Sequence, residues 1–419
     1  MNKKYKLKEL CEITSSKRIF AHEYVEKGIS FFRSKEIIEL ANEQKIDEPL
    51  FISEERYNEI KKKFNIPKNG DILLSAIGAN LGIPYWVNLD FEFYFKDGNV
   101  IWFRNFSSKL DSEYLFWWMN TNYFFKQFTD KAIGAAQKAL TIDSLNEYLV
   151  EVPSLKEQRD AIKIFRAISK KIIVNNKINA ELEVMAKTLY DYWFIQFDFP
   201  NKNNKPYKNS GGKMIYSNEL KKEIPEGWEV DRINKKIKIE SGFPFNSDDY
   251  CENGKYQIIT IKNVQDGYLD TSTVDKIDLI PDNISDFCVL EIGDVLMSLT
   301  GNVGRMCFVD KENLLLNQRV GKLLGEKEFI IYTYLFFKRP ENQKRLEKIA
   351  GGSSQSNLSP INAVKDFFII PSQNILNDFS KIIIPIFEQI IRNKKENREL
   401  SEQRDWLLPM LMNGQVTVK

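Results

Sequence analysis

The feature that most constrains this chain is an internal repeat with one long offset. Six residues recur 218 positions later in the same order: Gly134, Gln137, Leu140, Val152, Pro153 and Leu182 return as Gly352, Gln355, Leu358, Ile370, Pro371 and Leu400. Solenoid repeats have much shorter periods, of about 20–50 residues. The offset therefore predicts two copies of a whole domain, each followed by a copy of a helix.

Each copy of the domain is predicted to be a compact α/β (α+β) fold. The run Gly70–Ser75 matches Gly293–Ser298, and both combine a turn with a β-like apolar stretch. Residues between the matched runs differ, for example Lys17–Phe20 against Phe243–Asn246. A shared scaffold with different exposed residues indicates two domains that recognise different things. Neutral drift after duplication is the alternative interpretation.

A long helix is predicted after each domain. No Pro or Gly occurs between Glu157 and Phe194, and an apolar heptad fits this stretch, with Asn175 and Asn179 in the seam. The copies of these residues, Asn393 and Asn397, occupy the same seam in the second helix. An antiparallel coiled coil would place Asn175 opposite Asn397 and Asn179 opposite Asn393. Two separate amphipathic helices, each docked on its own domain, are the alternative.

These patterns predict a division of the chain into four parts. They are target-recognition domain 1 (1–153), a central helical spacer (154–200), target-recognition domain 2 (201–371, with a linker at 201–228) and a C-terminal helical spacer (372–419). The duplication implies a pseudo-two-fold relation of the domains, and the helix pair is expected to hold them at a fixed separation.

Several kinds of enzyme are excluded or disfavoured by the residues present. His22 is the only histidine, which excludes Ser-His-Asp triads and H-E-x-x-H zinc sites. No phosphate-binding loop and no Pro-Pro pair of the amino-methyltransferase motif occur. Glu59 and Lys61, with Asp47 upstream, match a nuclease-like E-x-K, which we attribute to chance in a chain this rich in Lys and Glu. The four cysteines form no C-x-x-C pair, so we expect no metal site and no catalytic residues.

The expected location is the cytoplasm. The chain lacks an apolar run of the roughly 18–20 residues that span a bilayer, and its N-terminus lacks the apolar core of a signal peptide. We therefore expect a soluble protein that does not contact a membrane. The net charge of +2 permits nucleic-acid binding without indicating it, because 60 basic residues are balanced by 58 acidic ones.

Two further stretches carry a family resemblance. Leu189–Pro200 with Ile224–Trp228 resembles the central region of type I restriction–modification specificity subunits, and Arg404–Val416 resembles their C-terminal segment. The resemblance implies a non-catalytic, sequence-specific DNA-binding subunit that reads a bipartite double-stranded target. It also implies two modification (methyltransferase) subunits that use S-adenosylmethionine, and two restriction (endonuclease/translocase) subunits that use ATP and Mg²⁺. This chain itself would bind no cofactor.

Three alternatives to that complex stay open. The first is an orphan DNA-binding scaffold, and the second is a specificity subunit that serves methylation only. The third is a self-contained nuclease built on Glu59 and Lys61. A cluster of aromatic residues from Tyr190 to Phe199 could stack on bases, but we expect it to pack at the junction of helix and domain or to offer a surface to a modification subunit.

Candidate DNA contacts are predicted at matching glycine turns and strand ends, where polar side chains can reach bases and phosphates. In the first domain they are Lys17, Arg18, Arg33, Ser34, Lys35, Ser75, Asn80 and Lys138. In the second domain they are Asn246, Ser247, Lys262, Asn263, Ser298, Thr300, Asn302, Gln318, Arg319 and Gln355. The loops Ser75–Gly82 and Ser298–Gly304 are favoured, because their glycines allow the backbone to approach a phosphate closely.

Overall fold

The computed structural model describes most of the chain and divides it into two units. The described residues are 3–42, 44, 46, 48–77, 81–121, 124, 140–351 and 356–412, with only the backbone described at 408, 409 and 412. The first unit comprises Met1–Ile172 and Glu399–Lys419, and the second comprises Ile173–Arg398. Each unit is described by itself.

The first unit contains ten described strands and four short described helices before a long one. The strands are β1 (Lys3–Lys6), β2 (Glu12–Thr14), β3 (Tyr24–Val25), β4 (Ile29–Phe32), β5 (Leu50–Ile52), β6 (Ile72–Ser75), β7 (Pro84–Trp86), β8 (Phe93–Phe95), β9 (Val100–Arg104) and β10 (Leu149–Val152). The helices are α1 (Ser34–Ala41), α2 (Glu54–Phe64), α3 (Ser112–Met119), α4 (Ile142–Asn146) and the long α5 (Leu155–Tyr190), which continues into the second unit.

Two four-stranded sheets and a strand pair form the first copy of the domain. One sheet has the order β2-β9-β6-β7 and the other has the order β3-β5-β4-β8. The pair joins β1 to β10 antiparallel, so the first described strand is held by the last strand of the domain. In β6, Ile72 and Leu74 contribute to one apolar cluster and Leu73 to another. Side chains alternate along a strand, so both faces of this sheet are covered.

The second unit contains twelve strands in its described part. They are β11 (Met214–Ser217), β12 (Lys222–Pro225), β13 (Glu229–Arg232), β14 (Ile237–Ser241), β15 (Tyr256–Ile259), β16 (Asp275–Ile277), β17 (Val289–Leu290), β18 (Val295–Ser298), β19 (Met306–Phe308), β20 (Leu314–Leu316), β21 (Val320–Gly325) and β22 (Phe367–Ile370). Its helices are α6 (Lys327–Phe337), α7 (Pro340–Ala350), α8 (Pro360–Ala363) and the long α9 (Gln373–Met412), whose last part belongs to the first unit.

The second copy repeats most of the strand order of the first. The sheet β14-β21-β18-β19 corresponds to β2-β9-β6-β7, and the pair β13–β22 corresponds to β1–β10. In the remaining sheet, β15 pairs with β20 in parallel and with β16 antiparallel, as β4 does with β8 and β5. The predicted duplication of an α/β domain is therefore confirmed by topology.

The same turn has different partners in the two copies. Asp71 and Asp294 each accept a hydrogen bond from the backbone N–H three residues earlier, at 2.9 and 2.7 Å. Trp102 Nε1 donates to Asp71 at 2.8 Å, whereas Lys322 Nζ forms an ion pair with Asp294 at 2.6 Å. The backbone of the turn is thus shared, while the side chains around it have diverged.

The copies differ most in the segment that leads from the parallel pair to the central strand of the other sheet. In the first copy this segment contains α1 and α2. In the second copy the equivalent residues 260–294, all of which are described, contain no α-helix. One edge strand differs as well: β17 pairs with β20 in the second copy, whereas β3 pairs with β5 in the first.

The long helices α5 and α9 pair antiparallel within the second unit. Asn175 Nδ2 donates to Asn397 Oδ1 at 2.8 Å, and Asn393 Nδ2 donates to Asn179 Oδ1 at 2.8 Å. Position numbers rise along one helix as they fall along the other, which defines the antiparallel direction and confirms the coiled coil. Ser154 starts α5 through a capping box: its backbone N donates to the Glu157 carboxylate at 2.8 Å, and its Oγ accepts from Glu157 N at 3.4 Å. No helix in the described part of the chain is long and apolar enough to cross a membrane.

Candidate nucleic-acid interface

Corresponding hairpins, β6–β7 and β18–β19, carry the two favoured loops. Ser75 N donates to Ile83 O at 3.0 Å, and Ser298 N donates to Arg305 O at 2.9 Å. The hydroxyls of both serines are buried: Ser75 Oγ accepts from Ile83 N at 2.9 Å, and Ser298 Oγ donates to Asn302 O. These serines hold the turns in shape and do not face solvent. Residues 78–80, which include Asn80, lie outside the described residues.

Three segments of the second domain meet at the β18–β19 hairpin. Leu358 N donates to Leu299 O at 2.7 Å, and Thr300 forms a β-bridge with Asn357. On the other side of the loop, Leu299 N donates to Arg319 O at 3.1 Å. The hairpin loop is therefore flanked by the segment before α8 and by the turn that leads into β21.

A fourth segment extends this surface. Gln318 N donates to Phe243 O at 3.1 Å, which brings the turn before β21 against the loop that follows β14. Five of the candidate residues on these segments are exposed: Asn246, Ser247, Asn302, Gln318 and Arg319. We call this set of converging segments (242–247, 299–305, 317–319 and 356–358) the polar edge of the second domain. Thr300 belongs to it but is buried, and its Oγ1 donates to Asn357 Oδ1 at 3.2 Å.

Asn263 has a structural explanation of its own. The side chain is 2% exposed, and its Oδ1 accepts from both the backbone N and the Oγ1 of Thr260 at 2.8 Å. Its Nδ2 donates to two backbone carbonyls at 2.8 and 3.0 Å. In the first copy, Glu36 is likewise buried and accepts from the backbone N of Arg33, three residues earlier, at 2.7 Å. Both side chains cap the same turn, whereas the neighbouring Lys262 is exposed.

The described cationic candidates of the first domain are held by other side chains. Arg18 Nε donates to Asp97 at 2.9 Å, and Arg33 Nε donates to Glu36 at 3.1 Å. Lys17 Nζ lies 4.6 Å from the centre of the Phe64 ring. Lys35 Nζ is 3.5 Å from Glu39, and Ser34 is the first residue of α1. Two further candidates, Lys138 of this domain and Gln355 of the second, lie outside the described residues.

Two polar-edge residues were absent from the sequence-based candidates. Asn357 is exposed and bonded to Thr300, and Arg305 Nη1 donates to Gln265 Oε1 at 2.6 Å. The only sequence signals were local, because Asn357 precedes the repeated Leu358 and Arg305 follows the repeated Gly304. A cleft of about 550 Å³ opens beside Arg305 and is also lined by Asn302, Lys338 and Gln343 and by the acidic residues Asp266 and Glu347.

The asparagines of the coiled coil form two hydrogen-bonded groups. Asn179 and Asn393 are 6% and 5% exposed, and Gln389 Nε2 donates to Asn393 Oδ1 at 2.7 Å. In the other group, Asn397 Nδ2 donates to Asn176 Oδ1 at 2.8 Å. Buried amides in a helical seam are satisfied only opposite another polar group, so these contacts oppose a shift in register.

The aromatic cluster packs in the core of the second unit. Tyr190, Trp193 and Phe194 are buried, and the Phe194 ring centre lies 4.7 Å from that of Phe379 on α9. Phe199 is stacked at 4.9 Å on Trp228. Packing at the junction of helix and domain, the expected role, is therefore what the structure shows for these rings. Tyr192 is the exposed member of the cluster, at 37%.

The described residues present no catalytic arrangement. Glu59 and Lys61 are exposed on α2 and form ion pairs with Arg56 and Glu92 respectively, and Asp47 lies outside the described residues. Burial raises the pKa of the Cys307 thiol to about 12, which leaves it protonated at neutral pH. In the described part of the chain, no group of His, Cys, Asp or Glu residues could hold a metal ion.

Comparisons with known proteins relate both halves of the chain to one family. The family described as "Type I restriction modification DNA specificity domain" matches residues 2–184 and 225–402. The chain is 29% identical to the type I restriction enzyme MjaIX specificity subunit of Methanocaldococcus jannaschii over 331 residues, which cover 76% of this chain and 72% of that protein. It is 24% identical to the type I restriction enzyme HindI specificity subunit of Haemophilus influenzae over 403 residues, which cover 83% of this chain and 87% of the relative.

A solved structure shares the fold. The crystal structure of the S subunit of a type I restriction–modification system from M. genitalium aligns with 98% of this chain and 96% of its own, with a TM-score of 0.55 and 13% identity. At that identity the similarity concerns the fold alone.

Proposed function

This chain belongs to the type I restriction–modification DNA specificity family, and on that premise we propose that it reads a bipartite DNA target, one half-site per recognition domain, for partner subunits that carry the chemistry. The observation that supports this most strongly is the duplication: two copies of one domain carry different residues between their matched runs, such as Lys17–Phe20 against Phe243–Asn246. Two different readers on one chain suit a target with two different halves.

Each of the four parts of the chain has its own role. Residues 1–153 and 201–371, with the linker 201–228, form the two readers, and the helical parts 154–200 and 372–419 form the spacer between them. The polar edge of the second domain contacts DNA, with Gln318 and Arg319 among its exposed residues. In the first domain, Lys17, Arg18 and the loop that begins at Ser75 occupy the corresponding region. Since its substrate is cellular DNA, the complex works in the cytoplasm.

Partner subunits supply the reactions. Two modification subunits bring S-adenosylmethionine, and two restriction subunits use ATP and Mg²⁺. An exposed apolar stripe on α5 offers the modification subunit a docking surface: Val174, Ile178 and Met185 are 42%, 42% and 50% exposed. These residues are four and seven positions apart, so they lie on one face of the helix. An apolar stripe of this kind is typical of a surface that another helix covers.

The test is an exchange of the first domain. Residues 1–153 are replaced by the corresponding domain of a relative with a known target, and the chimera is expressed with its modification and restriction subunits. Because each domain has its own core and its own loops, we expect one half of the methylated motif to change and the other half to persist. Methylation sequencing of the host genome measures both halves. A change in both half-sites contradicts independent readers, and no methylation with the unaltered chain contradicts the proposed function.

A further inference from the structure

The orientation of one exposed amide at the polar edge is determined by its neighbour. Asn302 satisfies its surroundings when its carboxamide oxygen accepts from Nη1 and Nη2 of Arg305, both at 3.2 Å. The opposite orientation would direct an NH₂ group at a guanidinium, which has no acceptor. The guanidinium is itself held, because its Nη1 donates to Gln265 Oε1 at 2.6 Å. With its oxygen engaged, Asn302 offers a ligand a hydrogen-bond donor.

One neighbouring side chain at the same edge offers only donors. Asn357 does not, because its amide is bonded to Thr300 Oγ1 at 3.2 Å and a hydroxyl can donate to the amide oxygen or accept from its nitrogen. Arg319 is exposed, and its guanidinium has no ion pair or hydrogen bond with a described residue. An arginine side chain can only donate. No neighbour fixes the orientation of the Gln318 amide in the described structure, so Gln318 can offer a ligand either a donor or an acceptor.

Guanine is the base whose major-groove edge best matches side chains that offer only hydrogen-bond donors. Guanine presents two acceptors there, O6 and N7, whereas adenine presents an acceptor beside a donor and cytosine presents a donor. Resting on the proposed function, we propose that the second domain reads a guanine in its half-site through donors from Arg319 and Asn302. Arg305 is a positioning residue in this assignment, because it fixes the Asn302 amide with its donor directed outward.

The residue of the first domain that corresponds to Arg305 cannot supply this positioning. Ile83 occupies the place of Arg305, since Ser75 N donates to Ile83 O at 3.0 Å just as Ser298 N donates to Arg305 O at 2.9 Å. An isoleucine side chain cannot hydrogen-bond to an amide oxygen. The substitution Arg305→Ile therefore converts this position to the residue of the other copy, within a backbone that accommodates it.

The experiment is DNA selection by the full chain co-purified with its modification subunit. Bound sequences are enriched from a random library and sequenced, and the wild-type complex is measured first. Absence of any enriched bipartite motif would count against the proposed function itself. Given such a motif, we expect Asn302→Asp, which replaces a donor by an acceptor, to shift one guanine position towards cytosine by about tenfold in relative preference. The other half-site should be unchanged, which shows that the chain is folded.

Two substitutions of the positioning residue complete the test. We expect Arg305→Ile to admit adenine at the same position, reducing the guanine-over-adenine preference by about tenfold, because the freed amide can rotate and offer both donor and acceptor. Arg305→Lys keeps a donor to the amide oxygen and should retain guanine. Asn218→Asp, on the exposed turn between β11 and β12, adds the same charge as Asn302→Asp and should leave the motif as it is. Two results would overturn the assignment. One is that the half-site altered by these substitutions contains no guanine in the wild-type motif. The other is that neither Asn302→Asp nor Arg305→Ile alters the motif.

Discussion

Replacing Asn393 by leucine should weaken the coiled coil, although leucine is the more common seam residue. Asn393 and Asn179 are 5% and 6% exposed and are joined by a hydrogen bond of 2.8 Å. The substitution leaves the Asn179 oxygen without its donor in a largely buried site. Gln389, the other partner of Asn393, is half-buried and can turn to solvent instead.

The loss in free energy of unfolding can be worked out from the buried Asn179 amide that the substitution leaves without a partner. A buried polar group without its partner costs about 1–3 kcal/mol, and the added leucine recovers part of this through apolar burial. We therefore expect Asn393→Leu to lower the free energy of unfolding by about 1–2 kcal/mol. The double substitution Asn179→Leu with Asn393→Leu removes both amides and should be at least as stable as the wild type. The two changes are then coupled by about 2 kcal/mol or more, as contacting residues often are.

The assay is guanidinium unfolding of the full chain, followed by far-UV circular dichroism, for the wild type, both single variants and the double variant. Asn176→Ala provides a matched control, because Asn176 is an exposed amide that accepts from Asn397 at 2.8 Å. Its effect should stay within about 0.5 kcal/mol. Additive effects of the two leucine substitutions would refute the argument that the buried amides depend on each other.

Three further predictions concern partners and spacing. Calorimetry of the isolated chain with S-adenosylmethionine should show no saturable binding, because the described residues contain none of the expected cofactor machinery; a saturable site would reopen the enzyme hypothesis. Ile178→Glu, on the exposed α5 stripe at 42% exposure, should reduce co-purification with the modification subunit at least tenfold. Lys177→Glu, on the neighbouring face, should not reduce it. If both variants retain the modification subunit equally, this docking surface is excluded. Inserting one heptad after Asn179 and one before Asn393 preserves the seam and adds about 10 Å of helix, so the non-specific spacer in the methylated motif should lengthen by about three base pairs. An unchanged spacer in a folded, active insertion variant would show that the helix pair does not set the spacing.

Much of the architecture could be predicted because it depends on periodic and local patterns. The 218-residue offset identified two copies of one domain, and the heptads around Asn175 and Asn179 identified two helices with a common seam. The antiparallel direction followed because each seam carries two polar residues that require partners. The helix bounds also agreed within a few residues: the helix was predicted within the Pro- and Gly-free range Glu157–Phe194, and α5 spans Leu155–Tyr190.

What the tertiary structure alone decided is the orientation and burial of the polar side chains. Ser75, Ser298 and Asn263 have polar side chains next to turns, which in sequence look the same as Asn302 or Arg319, yet the first three are buried in hydrogen bonds of the backbone framework. Sequence position indicates which strand end a residue occupies, but not whether its side chain bonds to its own turn or faces solvent. The polar edge itself depends on contacts between distant segments, such as the hydrogen bond from Thr300 to Asn357 across 57 residues. Such contacts arise only when the sheets are assembled, because no local pattern specifies which loops will meet.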